Sequence, residues 1–170
     1  MRIRFLILLL ICGLIGGAAA GGSNSNYTLY LARHAEKESD GSRDPVLTQA
    51  GQRRSEQLAN WLQDKGIEDI WSSDYKRTIG TANPLLSKLG LEVTIYDPRN
   101  LAGLAEQLKS NGQNSYVVGH SNTTPELARL LCQCTIAEMD ESEHDRLVVI
   151  SIGDGKVQSR TLKQGDLFKP

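Results

Sequence analysis

Four side chains carry the chemistry this sequence offers: Arg33, His34, Arg77 and His120. Arg33 and His34 end the apolar run YTLYLA, residues 27–32. His120 follows Gly119 at the end of the short run Tyr116–Val118, and Arg77 lies one helical turn beyond Ser72-Ser73. A guanidinium is always charged and makes paired hydrogen bonds to phosphate oxygens. A neutral imidazole nitrogen can attack phosphorus and form phosphohistidine, which splits one hard step into two. A second histidine, if protonated, adds positive charge where the equatorial oxygens gather negative charge. The turn after Gly119 and the helix it leads into can aim backbone N–H groups at an anion. The set is suited to a phosphoryl group. Any one of these residues alone is as well explained by a surface position or a satisfied donor; their recurrence at successive strand ends carries the reading.

The elements that must position them follow from apolar spacing. Residues 27–32 read as a buried strand. Residues 36–45 are polar, with Asp-Gly and Asp-Pro steps, and read as a loop. Thr48 is a helix N-cap, and Leu58, Trp61 and Leu62 give helical spacing up to a stop at Gly66. A second strand is expected over 67–71. The next helix starts near Tyr75, is kinked or divided by Pro84, and stops at Gly90. Residues 91–96 (LEVTIY) alternate as a strand. Leu101, Leu104, Ala105 and Leu108 share one face of an amphipathic helix. Residues 116–118 form another strand, and Pro125 suits the first turn of a helix running to about Leu131. Residues 147–152 and 157–162 flank Gly153-Asp154-Gly155 as a hairpin. Strands alternating with helices imply an α/β fold, three layers α/β/α with a mostly parallel central sheet. Such sheets bind ligands beyond the carboxyl ends of their strands, where the four residues fall.

Composition sets the outer bounds. The chain has 170 residues, 39% hydrophobic and 23% charged, with a net charge of −1. That excludes a disordered chain, a collagen-like repeat and a polytopic membrane protein. The near-neutral balance gives no footprint for nucleic acid. Arg2 and Arg4, the apolar run 5–15 and Ala18-Ala19-Ala20 follow the pattern of a secretory signal peptide cleaved after Ala20. The alternative is a retained membrane anchor, although the apolar run is shorter than the ~20 residues of a spanning helix. Arg2 and Arg4 are the only charges in residues 1–20, so cleavage leaves 17 of the 19 basic residues against 20 acidic ones, a net of −3. The expected organisation is a signal peptide over 1–20, a flexible leader over 21–26 and one domain over 27–170. The expected location is the periplasm or outside the cell, with no stable membrane insertion after cleavage. Cys132 and Cys134 are then the remaining thiols. They read as two small hydrophobes at a helix end. Export also makes a disulfide chemically possible, though a bridge across one residue is uncommon. A zinc site would need further ligands, for which His144 is the one candidate nearby.

At these residues the sequence resembles the histidine phosphatase superfamily, also called phosphoglycerate mutase-like. LARHAEK (31–37) is similar to its strand and Arg-His-Gly motif, with Ala35 in the Gly position. DPVLTQAGQRRSEQLA (44–59) is similar to its Leu-Thr-x-x-Gly segment and helix. SSDYKRTIGTA (72–82) and VVGHSNT (117–123) are similar to its second-arginine and second-histidine segments. The four come in the family's order. The resemblance implies a phosphoglycerate mutase-like fold, His34 as the phosphorylated nucleophile, and Arg33, Arg77 and His120 around the phosphoryl group. It also implies that no metal or organic cofactor takes part.

Two departures stand out. Lys37 occupies a position where many members have Ser or Thr. Many members also carry an acidic residue that protonates the leaving group, on a segment inserted after the second arginine; here residues 96–100 lead directly into a helix. Glu36 is the nearest acid to the nucleophile, although its plainer reading is a carboxylate paired with Arg or Lys. Asp44 is expected to organise the loop before the Leu47-Thr48 helix start. The expected partner is a small phosphorylated substrate or a phosphoprotein. A non-catalytic phosphate-binding module on the same fold, and a phosphomutase, are the alternative readings.

Overall fold

The computed structural model describes residues 26–168. The segments expected as a signal peptide (1–20) and, but for its last residue, as a leader (21–26) lie outside the described residues. Among the described residues no helix is long and apolar enough to cross a membrane.

The chain begins with β1 (Tyr27–Arg33), which runs down the middle of the sheet and is buried on both faces. Leu29 and Leu31 point to one face, Tyr30 and Ala32 to the other. The strands β2 (Asp69–Ser73), β3 (Val93–Tyr96) and β4 (Ser115–Gly119) join it, in the order β3-β2-β4-β1, all parallel. The hairpin of β5 (Arg146–Gly153) and β6 (Lys156–Lys163) extends the far side antiparallel, giving six strands ending in β5-β6. Asp154 and Gly155 both take positive φ, 50° and 69°, which a two-residue turn matched to the strand twist requires.

Helices cover both faces, as the three-layer reading requires. On one face α1 (Gln49–Leu62) and α2 (Lys76–Leu89) bury Leu58, Ala59, Leu62, Ala82 and Leu85 against Tyr30, Ile70, Tyr116 and Val149. On the other, α3 (Leu101–Asn111) and α4 (Thr123–Cys132) bury Leu104, Leu108, Leu127 and Leu131 against Leu29, Val117 and Val148. A short α5 (Gln164–Leu167) closes the described chain. Thr48 caps α1 by accepting from the Gly51 N–H at 3.0 Å, and Gly90 ends α2 at φ 66°.

Three local expectations are corrected. Pro84 does not divide α2, which runs unbroken for 14 residues. One lost backbone hydrogen bond is outweighed by the buried face of Thr78, Thr81, Ala82 and Leu85. The strand expected over 67–71 lies two residues later, because Ser72 and Ser73 continue the ladder opposite Ile95 and Tyr96. Their hydroxyls are satisfied locally, by Ser73 O and by Thr78 Oγ1, so burial costs them little. Cys132 and Cys134 are not two free apolar thiols but a disulfide, with Cα atoms 5.1 Å apart. Gln133, at φ 52°, reverses the chain between them.

Candidate active site

The carboxyl ends of β1, β2 and β4 meet at one edge of the sheet. Arg33 pairs with Gly119 in the β1–β4 register, and the His34 N–H donates to Gly119 O at 3.0 Å. This fixes the two histidine-bearing segments against each other through backbone alone. Gly119 must be glycine here: a Cβ would stand 2.8 Å from Thr123 Oγ1 and 3.0 Å from the Tyr96 hydroxyl. Thr123 Oγ1 in turn accepts from the His120 N–H at 2.9 Å.

A cleft of about 360 Å³ opens at this edge. His34, Arg77 and His120 line it together with Lys37, Tyr75, Pro98, Arg99, Glu141 and the start of α4, residues 121–123. The His34 and His120 rings lie 5.5 Å apart. Tyr75 sets its edge against His120 at 5.1 Å, and its face carries the Arg77 guanidinium at 4.3 Å. Arg33 is brought to the same place but does not line the cleft. Its Nη1 donates to the carbonyls of Asp140, Glu141 and Glu143, and its Nη2 to Glu141 Oε2 at 2.9 Å. Nε of both Arg33 and Arg77 is buried with no hydrogen-bond partner in the protein. Arg77 lines the cleft, so its unpartnered Nε–H is a donor that an anion there can use.

His34 is 3% exposed. Its Nδ1 lies 2.8 Å from Ala35 O. A carbonyl only accepts, so Nδ1 carries the proton and Nε2 keeps its lone pair. Burial first, then Arg33, His120 and Arg77, push its pKa down to about 3, against the pull of the Ala35 carbonyl. It is a neutral imidazole at any physiological pH. Burial, Arg77 and Arg33 likewise push His120 down to about 4. The extra positive charge expected of the second histidine is therefore absent at neutral pH in the structure as it stands. An anion in the cleft would oppose the two arginines and favour the imidazolium. Ser73 Oγ lies 2.9 Å from His120 Nε2 and holds that ring from the end of β2.

The supporting residues explain the motif spacing. Gly51 admits the carbonyl of Glu36, which sits where its Cβ would be, at 2.2 Å. Thr48 donates its N–H to the same carbonyl at 2.9 Å, so the start of α1 clamps the loop that follows His34. Glu36 is gripped by Arg54, whose Nε reaches both carboxylate oxygens at 2.9 and 3.0 Å and whose Nη2 adds a 2.6 Å contact. That ion pair holds its pKa below the usual range, and Glu36 does not line the cleft. Asp44 does organise its loop, but against α2: it accepts from the Lys76 N–H at 2.9 Å and lies 3.7 Å from Arg77 Nη1.

Two residues at this site escape a reading of the sequence. His144 Nδ1 donates to His34 O at 3.0 Å, with its ring 5.7 Å from that of His34. Glu141 reaches into the cleft from the loop that holds Arg33. No local pattern flags either one. The nearest signal is the acidic stretch DESEHD itself, residues 140–145. Among the described residues no group of three or more His, Cys, Asp or Glu is placed to hold a metal ion.

Residues 29–100 match the family model of the histidine phosphatase superfamily, branch 1. The chain is 40% identical over 65 residues to a 6-phosphofructo-2-kinase/fructose-2,6-bisphosphatase of Rattus norvegicus, a match covering 34% of this chain and 14% of that protein. It is 27% identical over 150 residues to a probable phosphoglycerate mutase of Erwinia tasmaniensis, covering 74% and 69% of the two chains. The chain thus spans a small part of the first relative and about two thirds of the second. The structure of the protein histidine phosphatase SixA complexed with tungstate superposes with a TM-score of 0.66 at 17% identity, over 82% of this chain and 99% of that one. Over residues 29–100 the chain matches the histidine phosphatase superfamily, and its fold and motif order agree with that match.

Proposed function

We propose that this protein is a phosphatase that transfers a phosphoryl group to His34 Nε2 and then to water. The carrying observation is the pairing of a buried, neutral His34 with two unpartnered guanidinium Nε donors beside it. Nε2 attacks phosphorus, and the N–P bond forms as the bond to the leaving oxygen breaks. Arg77 and the N–H groups at the start of α4 take up negative charge on the equatorial oxygens, with the Arg33 charge behind them. His120 becomes imidazolium as that charge arrives. Water attacks phosphohistidine, phosphate leaves, and Nε2 regains its lone pair. The side chains supply the positive charge, so the reaction proceeds without a metal or an organic cofactor.

The signal-like N-terminus supports an activity outside the cytoplasm, where phosphoesters of the cell envelope would be the substrates at hand. A reporter fused to residues 1–25 that stays cytoplasmic would remove that part of the reading. The activity itself is tested with residues 21–170 and His34→Ala in excess EDTA, following phosphate release from p-nitrophenyl phosphate. Activity in the parent that vanishes in the variant is expected. Equal release by both, or none by either, would leave the non-catalytic phosphate-binding module as the better reading.

A further inference from the structure

Attack by His34 leaves an oxygen that must be protonated unless it belongs to a very good leaving group. Glu36 and Asp44 cannot serve, being held by Arg54 and by the start of α2 outside the cleft. Glu141 is the one carboxylate among the described residues that line the cleft. Its Oε2 accepts from Arg33 Nη2 at 2.9 Å, and its Oε1 from the Ser121 hydroxyl. Arg33 adjoins the nucleophile and Ser121 adjoins His120, so the carboxylate bridges the two histidine-bearing segments at the mouth of the site. Its side chain is 81% exposed while that of Arg33 is 2% exposed, and it lines the cleft, so a substrate there can reach it. Three carbonyl bonds from Arg33 Nη1 hold the backbone of its loop in place.

Resting on the phosphatase reading above, we infer that Glu141 is the catalytic residue that protonates the leaving oxygen and then deprotonates the attacking water. In the empty cleft Ser121 and Arg33 favour its carboxylate form. A phosphoryl dianion in the cleft sets like charge beside the carboxylate, which favours the acid form. As the P–O bond breaks, the carboxyl proton passes to the leaving oxygen and the alcohol departs neutral. The carboxylate then takes a proton from water as its oxygen bonds to phosphorus and the N–P bond breaks. The proton returns to Glu141, so ester plus water gives alcohol plus phosphate with nothing left over.

A proton donor matters more as the leaving group becomes more basic. The test is rapid-quench formation of phosphohistidine from p-nitrophenyl phosphate and from phenyl phosphate. The two are similar in shape, and phenol resembles a tyrosine side chain with a pKa of about 10. Glu141→Gln, which keeps neutral partners for Ser121 and Arg33, is expected to slow the phenyl phosphate reaction about 10²-fold or more. Its effect on the p-nitrophenyl phosphate reaction is expected to be at least about tenfold smaller. Glu141→Asp, which retains the carboxyl, is expected to recover part of the phenyl phosphate rate. Equal slowing of both substrates, no slowing of either, or a wild type already as leaving-group-sensitive as the Gln variant would overturn the assignment. A wild type that forms no phosphohistidine from p-nitrophenyl phosphate would instead remove the phosphatase reading, and this inference with it.

Discussion

Keeping His34 and His120 neutral at the sheet edge must show itself in the pH dependence of stability. Both have native pKa values pushed down, to about 3 and about 4, while an unfolded histidine titrates near 6.5. Between those values the unfolded chain binds more protons than the native one, so stability rises with pH and is lost as pH falls below about 6.5. At pH 5.5 an unfolded histidine is mostly protonated and these two are not. Each therefore forfeits about 1.35 kcal/mol between pH 7.5 and 5.5, or about 2.7 kcal/mol together. The carboxylates with lowered pKa, among them Glu36, Glu141 and Glu143, add their loss further down, as pH falls through the range where unfolded carboxylates protonate. Urea unfolding of the wild type and of His34→Asn and His120→Asn, at both pH values, isolates the histidine part. Each variant should lose about 1.35 kcal/mol less than the wild type between the two conditions. Variants that follow the wild-type pH dependence would show that these histidines are not held neutral, and the case for His34 as a ready nucleophile would fall with them.

Other consequences lie in the supporting residues. Gly51→Ala would drive a Cβ into the Glu36 carbonyl; a loss of about 1–3 kcal/mol in urea unfolding is expected, with reduced turnover because the loop after His34 must shift. Asp44→Asn weakens the hold on Arg77, and steady-state kinetics should show a KM raised several-fold with kcat little changed. Arg77→Ala removes a charge-assisted donor from the cleft, so inorganic phosphate should bind at least about tenfold more weakly by calorimetry. Ser73→Ala frees His120 Nε2, and kcat should fall while phosphate binding changes less.

How much of this was legible depends on how local each cause is. The compact, mostly apolar run 27–32 suits a buried strand, so its end at Arg33-His34 marks the site without any tertiary knowledge. Thr48 and Gly90 act on their own helix ends and were readable for the same reason. The position of β2 was not, because Ser72 and Ser73 look like breakers until Ser73 O is seen to satisfy the first hydroxyl, and Thr78 and His120 the second. The orientation of Arg33 was hidden further still: its partners are carbonyls more than 100 residues away, and backbone carbonyls leave no mark in a sequence. Glu141 and His144 lie in an irregular loop with no periodicity to read, and only the Arg33 anchor brings them to the histidines. The Cys132–Cys134 bridge depends on the turn at Gln133, which spacing alone argued against.

The central claim is a covalent phosphoryl group on His34. The direct measurement is mass spectrometry of the wild-type protein quenched in base within milliseconds of mixing with p-nitrophenyl phosphate, in excess EDTA. An acid-labile, base-stable phosphoryl group on the peptide containing His34, formed and lost at rates that account for turnover, is the expected result. Turnover with no phosphoryl group on His34, or with the label on another residue, would contradict it.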